Sequence, residues 1–216
     1  MRGGALLSGV SRALVLAAHT DDEFGCAGTI ARLVRSGVHV RYIAMSRCEE
    51  SVPKGFPEDV LEGECRASCD ALGLQPNDVD IWRLRVRHFP AHRQEILERL
   101  YAFNRDWRPD LVLAPSMSDM HQDHATVSTE AFRAFKHSTL LGYELPQNLI
   151  SFEHSAFVAL SEEDFAKKIL AVKAYKSQAH RAYATEEFSR SLAIVRGAQA
   201  NTGLAEAFEV IRLILS

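Results

Sequence analysis

The chain has 216 residues, of which 47% are hydrophobic and 25% are charged, and its formal net charge is −3. This length suits one domain with a sizeable core, and the balanced charge excludes a strongly basic nucleic-acid surface. No apolar run is long enough to cross a membrane, and residues 1–11 lack the continuous apolar stretch of a secretory signal. We therefore expect a single domain over residues 1–216.

The four cysteines form no Cys-x-x-Cys pair, and none has a histidine at zinc-finger spacing. Cys65 and Cys69 are four residues apart on a predicted helix, which is typical of small core residues. A reducing cytoplasm is the expected compartment. The sequence leaves the oligomeric state open, a homo-oligomer included.

Hydrophobic periodicity predicts alternating strands and helices in the first two thirds of the chain. The predicted strands are residues 12–18, 39–45, 79–82 and 111–114, and the predicted helices are residues 27–36, 57–72, 91–107 and 123–136. Such alternation favours an α/β fold with a Rossmann-like, doubly wound, mostly parallel sheet. The loop at residues 46–57 should open onto the carboxyl ends of the strands.

The pattern changes after residue 136. Residues 140–145 and 151–160 are predicted strands of a small C-terminal appendage, and residues 162–175 are a predicted helix. Leu204, Phe208, Ile211 and Leu215 have helical spacing, yet residues 208–215 equally suit an edge strand. Periodicity does not decide between these two alternatives.

Polar residues follow the first predicted strand directly. His19 is followed by three carboxylates at positions 21–23, and open α/β sheets bind their ligands just outside the carboxyl ends of the strands. His19 and Asp22 are three residues apart, so both side chains can converge on one cation. In a chain with nine histidines and 28 acidic residues, roughly one such pair is expected by chance.

A second polar cluster follows the apolar run at residues 111–114. His121, Asp123 and His124 form a His-x-Asp-His tetrad that this composition produces by chance in about one sequence in fifty. Catalytic zinc sites use three protein ligands and keep the fourth position for water. One histidine and one aspartate from the first cluster and one histidine from the second make such a set, so we predict a catalytic metal site.

The two clusters resemble the signatures of a known family. Residues 18–23, AHTDDE, and residues 25–29, GCAGT, resemble the AHPDDE and GCGGT signature of the LmbE/PIG-L de-N-acetylases, and residues 119–124, DMHQDH, resemble its DxHPDH signature. Thr20 and Gln122 replace prolines, which are not ligands, and the segment before the first glycine is one residue shorter than usual. The resemblance covers most of the chain. It implies hydrolysis of the N-acetyl group of a small-molecule, N-acetylated amino-sugar conjugate.

We expect His19, Asp22 and His124 to bind Zn²⁺, with Fe²⁺ as an alternative, and the resemblance implies the same ligands. Asp21 lies next to a ligand and is placed to take a proton from the attacking water. The sequence does not identify what is attached to the sugar.

Other residues of the clusters have predicted roles beside the metal. His121, if protonated, donates to the carbonyl oxygen as charge builds there. Asp123 either hydrogen-bonds that imidazole and keeps it charged, or orients a metal ligand. Glu23, Arg47 and Arg66 are candidate substrate-binding residues: Glu23 adjoins the first cluster, Arg47 follows the second strand, and Arg66 resembles a family arginine.

Two other functions fit parts of the sequence. One is a metal amidase that acts on a different acyl amine, such as a thiol-sugar conjugate. The other is a nucleotide-binding α/β module without metal catalysis, which Gly25 and Gly28 after the first strand suggest. However, the G-x-G-x-x-G motif is absent, and three carboxylates in the loop would repel a pyrophosphate.

Overall fold

The computed structural model describes residues 9–214. Within them the chain forms one sheet, whose strands in chain order are β1 Arg12–Ala17, β2 His39–Ala44, β3 Val79–Ile81, β4 Leu111–Pro115, β5 Thr139–Tyr143, β6 Ala156–Leu160 and β7 Leu204–Arg212. In space the order is β3-β2-β1-β4-β5-β7-β6, and the first five of these are parallel.

Helices cover both faces of the sheet. Over residues 9–214 they are α1 Ala27–Arg35, α2 Val60–Leu72, α3 Arg93–Trp107, α4 Gln122–Ala134, α5 Glu162–Ala174 and α6 Glu186–Gln199. Helices α1, α2 and α5 pack on one face and α3 and α4 on the other, which confirms the predicted doubly wound α/β fold. The sequence patterns did not predict α6. None of the helices in the described range is both long and apolar enough to cross a membrane.

The C-terminal strands differ from the prediction. β5 is parallel to β4 and continues the main sheet, and β6 and β7 complete the same sheet in antiparallel pairing. β7 is a strand that lies between β5 and β6, so it is not at the edge. A four-residue spacing fits a strand as well as a helix, because residues four apart also share one face of a strand. Two predictions fall partly outside the described residues. They concern Leu215 and residues 1–8, which belong to the segment 1–11 for which no secretory signal is expected.

The strand order places the two polar clusters together. β1 and β4 are adjacent, while the chain runs outward from β1 through β2 to β3 before it crosses back to β4. The loops after adjacent strands of this kind diverge and leave a crevice between them, where α/β proteins bind their ligands.

The backbone N–H groups of the glycine-rich segment at the start of α1 are hydrogen-bonded to a carboxylate of the protein itself. Glu206 of β7 accepts hydrogen bonds from the backbone N–H groups of Gly28 (3.0 Å) and Thr29 (2.7 Å). The Nζ of the buried Lys168 donates to Glu206 (2.6 Å) and to the carbonyl oxygen of Phe24 (2.8 Å). A nucleotide-binding module uses such N–H groups to hold phosphate, so this arrangement argues against the nucleotide-binding alternative.

The glycines of this segment serve close packing. A Cβ atom on Gly28 would lie 2.5 Å from a methyl group of Leu160, and one on Gly25 would lie 2.7 Å from the carbonyl oxygen of Glu144. Either side chain would push the segment away from the sheet. The segment after the first cluster is therefore fixed by its glycines and by the Lys168–Glu206 pair.

We expect Lys168→Met to lower the free energy of unfolding by about 3 kcal/mol or more, because it leaves the buried Glu206 carboxylate without its cation. Urea unfolding followed by circular dichroism measures this change. Lys167→Met, at the exposed neighbouring position, is the matched control and should change stability by less than about 0.5 kcal/mol. Equal stabilities of the two variants would contradict the proposed importance of the pair.

Candidate metal centre

A cavity opens at the carboxyl ends of β1 and β4. Its volume is about 260 Å³, close to the lower end of the range of small-molecule sites, about 300 Å³. Both predicted clusters line it, together with Cys48 and Ser51 from the loop after β2.

Three predicted ligand atoms meet at the bottom of this cavity. His19 Nδ1 lies 2.9 Å from His124 Nε2, and Asp22 Oδ1 lies 3.3 Å from His124 Nε2 and 3.6 Å from His19 Nδ1. Ligand atoms of a tetrahedral zinc ion, each about 2.1 Å from the metal, are about 3.4 Å apart. The three atoms therefore have the spacing that one such cation requires.

Hydrogen bonds orient all three side chains toward this point. Asp123 Oδ2 lies 3.1 Å from His19 Nε2, and Asp119 Oδ2 lies 2.8 Å from His124 Nδ1, so each imidazole is held by a carboxylate at its far nitrogen. The second oxygen of Asp22 accepts from the backbone N–H of His19 (2.8 Å). Carboxylates that hold histidines in this way are the usual outer partners of metal ligands.

The cluster is rich in buried negative charge. Burial by itself lowers the pKa of an imidazole, but the neighbouring carboxylates raise the pKa of His19 to about 9 and that of His124 to about 10. Burial opposes ionisation of Asp22 too, yet His124 and His19 hold its pKa well below the usual range. The carboxylates of Asp22, Asp119 and Asp123 need positive charge beside them. Protons on the imidazoles or a divalent cation supply this charge.

His121 lies close to the same centre. Ring nitrogens of His19, His121 and His124 are all within 4.8 Å of one another, a grouping that could itself hold a metal ion. His121 also caps α4, because its Nδ1 accepts from the backbone N–H of Asp123 (3.2 Å). A neutral imidazole that accepts at Nδ1 carries its proton on Nε2, so His121 can donate a hydrogen bond without being charged.

The contacts of Asp123 bear on the two roles predicted for it. Its carboxylate contacts His19 and the backbone N–H groups of Arg87 (2.5 Å) and Phe89 (3.2 Å), and it makes no hydrogen bond to the His121 ring. Burial and the rings of His19 and His124 lower the pKa of His121, which Asp123 only partly opposes. These contacts favour the alternative that Asp123 orients a metal ligand, His19, over the alternative that it keeps His121 charged.

The three predicted substrate-binding residues lie away from the cavity. Glu23 is buried on the α2 side of the sheet, where it accepts from the hydroxyl of Ser68 (2.5 Å). Arg66 is on the outer surface of α2, with Nη2 3.2 Å from Glu62, and Arg47 Nε lies 2.7 Å from the same carboxylate. Glu23 thus points away from the cavity although its sequence neighbour Asp22 lines it. None of the three predicted substrate-binding residues lines the cavity wall.

The cavity wall contains residues that the sequence patterns missed. Asp119 was visible as the first residue of the second signature, but no role followed from its position. Asn148, Arg181 and Tyr183 line the cavity from the C-terminal third. Arg181 and Tyr183 lie in the irregular segment between α5 and α6, where no periodicity or motif marks them.

The family model described as PIG-L, GlcNAc-PI de-N-acetylase, matches residues 14–135. Because this range is more than half of the chain, the chain belongs to the PIG-L family, and the resemblance of the two signatures is confirmed. The protein is an enzyme of this deacetylase family, whose members are hydrolases that act on N-acetyl amides.

Known relatives extend the likeness beyond this range. The uncharacterized deacetylase YaiS of Escherichia coli is 27% identical over 187 residues, which cover 80% of this chain and 96% of YaiS. The structure of N,N'-diacetylchitobiose deacetylase from Pyrococcus horikoshii matches 95% of this chain and 85% of its own, with a TM-score of 0.76 and 17% identity. GalB, the 4-carboxy-2-hydroxymuconate hydratase of Pseudomonas putida, matches 95% of this chain and 98% of its own, with a TM-score of 0.78 and 20% identity. The two structural likenesses show the fold alone.

Asp119→Asn and Asp123→Asn should each weaken zinc binding by roughly 10- to 100-fold, because an amide cannot hold the far nitrogen of a ligand histidine as a carboxylate does. Titration against a competing chelator measures the affinity. Asp70→Asn, at an exposed position of α2, is the control and should bind zinc as the unmodified protein does. Unchanged affinity in both test variants would show that these carboxylates do not support a metal site.

Proposed function

We propose that the chain is a metal-dependent deacetylase that hydrolyses the N-acetyl group of an N-acetylglucosamine-type substrate. The observation that carries this proposal is the convergence of His19, Asp22 and His124 on one point of an open cavity, with the carboxylate of Asp21 beside them. Two nitrogens and one oxygen form a donor set of catalytic zinc, and the same two-histidine, one-carboxylate set also suits Fe²⁺.

His19, Asp22 and His124 would hold the metal ion. When bound, the ion supplies a Lewis acid for the amide carbonyl and lowers the pKa of water.

Asp21 is the proposed general base. It lines the cavity next to a proposed ligand, and burial together with the charge of Asp22 raises its pKa above the usual value for an aspartate. A raised pKa makes a carboxylate a better proton acceptor near neutral pH. Asp21 takes the proton of the attacking water and returns it to the amide nitrogen, so that the amine can leave with acetate as the second product.

His121 is the proposed hydrogen-bond donor to the carbonyl oxygen. Its Nδ1 accepts a hydrogen bond from the backbone N–H of Asp123 at the start of α4, so the Nε2–H group can donate to the substrate. A fixed donor aimed at an oxygen that becomes negative stabilises the transition state more than the ground state. Because the neutral ring suffices, the reaction does not require a charged His121.

The sugar part of the proposal is supported by the relatives. The family description names a GlcNAc conjugate, and one structural neighbour deacetylates N,N'-diacetylchitobiose. The amide side chains of Gln147 and Asn148 on the cavity wall are suitable partners for the hydroxyl groups of a sugar. An amidase that acts on another acyl amine would use the same centre.

Variants separate metal binding from proton transfer. His19→Ala, Asp22→Ala and His124→Ala should lose bound metal and turnover together, because two remaining ligands bind weakly. Asp21→Asn and His121→Asn should keep the metal and lose turnover by roughly 10²- to 10⁴-fold. Asparagine is chosen at position 121 because its side-chain oxygen can still cap α4. Full metal content in all three alanine variants would refute the ligand set, and near-normal turnover of Asp21→Asn would refute the base.

A substrate panel tests the reaction itself. Zinc-loaded and iron-loaded protein should release acetate from N-acetylglucosamine conjugates faster than propionate or butyrate from matched N-acyl conjugates, and dialysis against a chelator should abolish the release. Faster release of a larger acid would favour the alternative amidase. Hydration of an unsaturated acid without any amide hydrolysis would indicate the chemistry that GalB carries out on the same fold.

A further inference from the structure

One positively charged side chain on the cavity wall has no carboxylate within ion-pair distance. Arg181 lines the cavity together with His19 and Asp21, and within residues 9–214 it forms no ion pair. Its nearest contacts are with neutral groups: Nε donates to the amide oxygen of Gln178 (2.6 Å), and the guanidinium carbon lies 5.7 Å from the centre of the Tyr183 ring. Beyond ion-pair distance, its charge attracts the carboxylate of Asp21. The Tyr183 hydroxyl also interacts with this guanidinium.

Three arginines in the loops that follow β2 and β3 differ from Arg181, because each lies close to a carboxylate. Arg85 Nε lies 2.6 Å from Glu50 and Arg87 Nη1 lies 3.8 Å from the same carboxylate. Arg47 is paired with Glu62. These positive charges are already offset by ion pairs, whereas Arg181 faces the cavity without an ion pair and is attracted only from a longer distance by Asp21.

Buried hydrogen bonds hold Arg181 in this position. Glu64 accepts from the backbone N–H (2.9 Å) and the hydroxyl (2.6 Å) of Ser177, and the Gln178 amide nitrogen donates to the same hydroxyl (3.1 Å). Because this bond fixes which end of the amide is the nitrogen, the Gln178 oxygen must face Arg181. All three supporting side chains are buried, so the guanidinium is oriented by a prebuilt network.

An arginine held in this way is suited to bind an anion. A half-buried charge without a counter-ion is unfavourable, and a carboxylate or phosphate offsets it with charge-assisted, often bidentate, hydrogen bonds. The neutral amide of Gln178, which accepts from Nε, orients the guanidinium without cancelling its charge. A glutamate at position 178 would cancel that charge.

We propose that Arg181 binds an anionic group of the substrate, so that the N-acetylated sugar carries a carboxylate or phosphate. This inference rests on the proposed function, because it assumes that the reacting amide occupies the same cavity. It narrows the substrate class from amino-sugar conjugates in general to negatively charged ones.

Product binding tests the anion site without requiring turnover. Zinc-loaded protein is titrated by calorimetry with glucosamine, glucosamine 1-phosphate, glucosamine 6-phosphate and muramic acid, whose phosphates and carboxylate distinguish the two anion sources. At least one anionic amine should bind roughly 10- to 100-fold more tightly than glucosamine, and Arg181→Ala should remove this difference while glucosamine affinity stays the same. Arg105→Ala, at an exposed arginine paired with Asp106, is the matched control and should keep the preference. Equal affinity for charged and neutral amines in the unmodified protein would overturn the proposal.

Gln178→Glu is a second variant that keeps Arg181 itself. A carboxylate at this position should pair with the guanidinium and lower the preference for anionic amines by at least about 10-fold. If Gln178→Glu and Arg181→Ala both keep the preference, another residue binds the anion and the proposal fails.

Kinetics of acetate release connects the site to the reaction. With the corresponding N-acetyl sugars, Arg181→Ala should raise KM for the anionic substrate by roughly 10- to 100-fold and should lower kcat/KM for the neutral one much less. An equal loss on both substrates would mean that Arg181 supports the reaction centre and would overturn the proposal. Anion-dependent binding without acetate release from any sugar would leave the anion site standing and would instead refute the proposed function.

Discussion

The short contact between His19 Nδ1 and His124 Nε2 joins the loops that follow the adjacent strands β1 and β4. Two nitrogens 2.9 Å apart can both face one point only if a proton or a cation lies between them. The carboxylates of Asp119 and Asp123 hold the far nitrogens and prevent either ring from turning away. The fold therefore places these rings and carboxylates so that a proton or a cation is needed between them, whether or not a substrate is bound.

The loop after β1 keeps its shape without the proline of the family signature. Thr20 stands in that position, and its carbonyl oxygen accepts from the hydroxyl groups of Tyr42 (3.2 Å) and Tyr175. Farther along, Lys168 holds the carbonyl oxygen of Phe24. Side chains from β2 and α5 therefore replace the local stiffness that a proline would give. The loop depends on the packing of distant elements, which explains why a substitution in the signature leaves the arrangement of His19 and Asp22 intact.

Sequence patterns predicted the parts of the site that depend on local signals. Buried strands are recognisable as apolar runs, and the carboxyl ends of adjacent parallel strands meet, so the approach of His19 and His124 could be expected. The direction of a side chain in an irregular turn has no such signal, and Glu23 accordingly turns into the core beside Ser68. The position of β7 between β5 and β6 depends on pairing between residues more than 40 positions apart in the chain, which periodicity does not report.

The residues of the proposed metal centre and those of the proposed anion site lie in different parts of the chain. The family match ends at residue 135, and it contains every residue proposed to hold the metal or move a proton. Part of the remaining cavity wall also lies within that match, and the rest comes from Gln147, Asn148 and the segment between α5 and α6, which are outside it. GalB shows that the same fold also carries a hydratase, so membership of the fold does not determine the substrate. The segment between α5 and α6 lies outside the family match, and the charge of its Arg181 on the cavity wall is the feature from which we infer an anionic substrate.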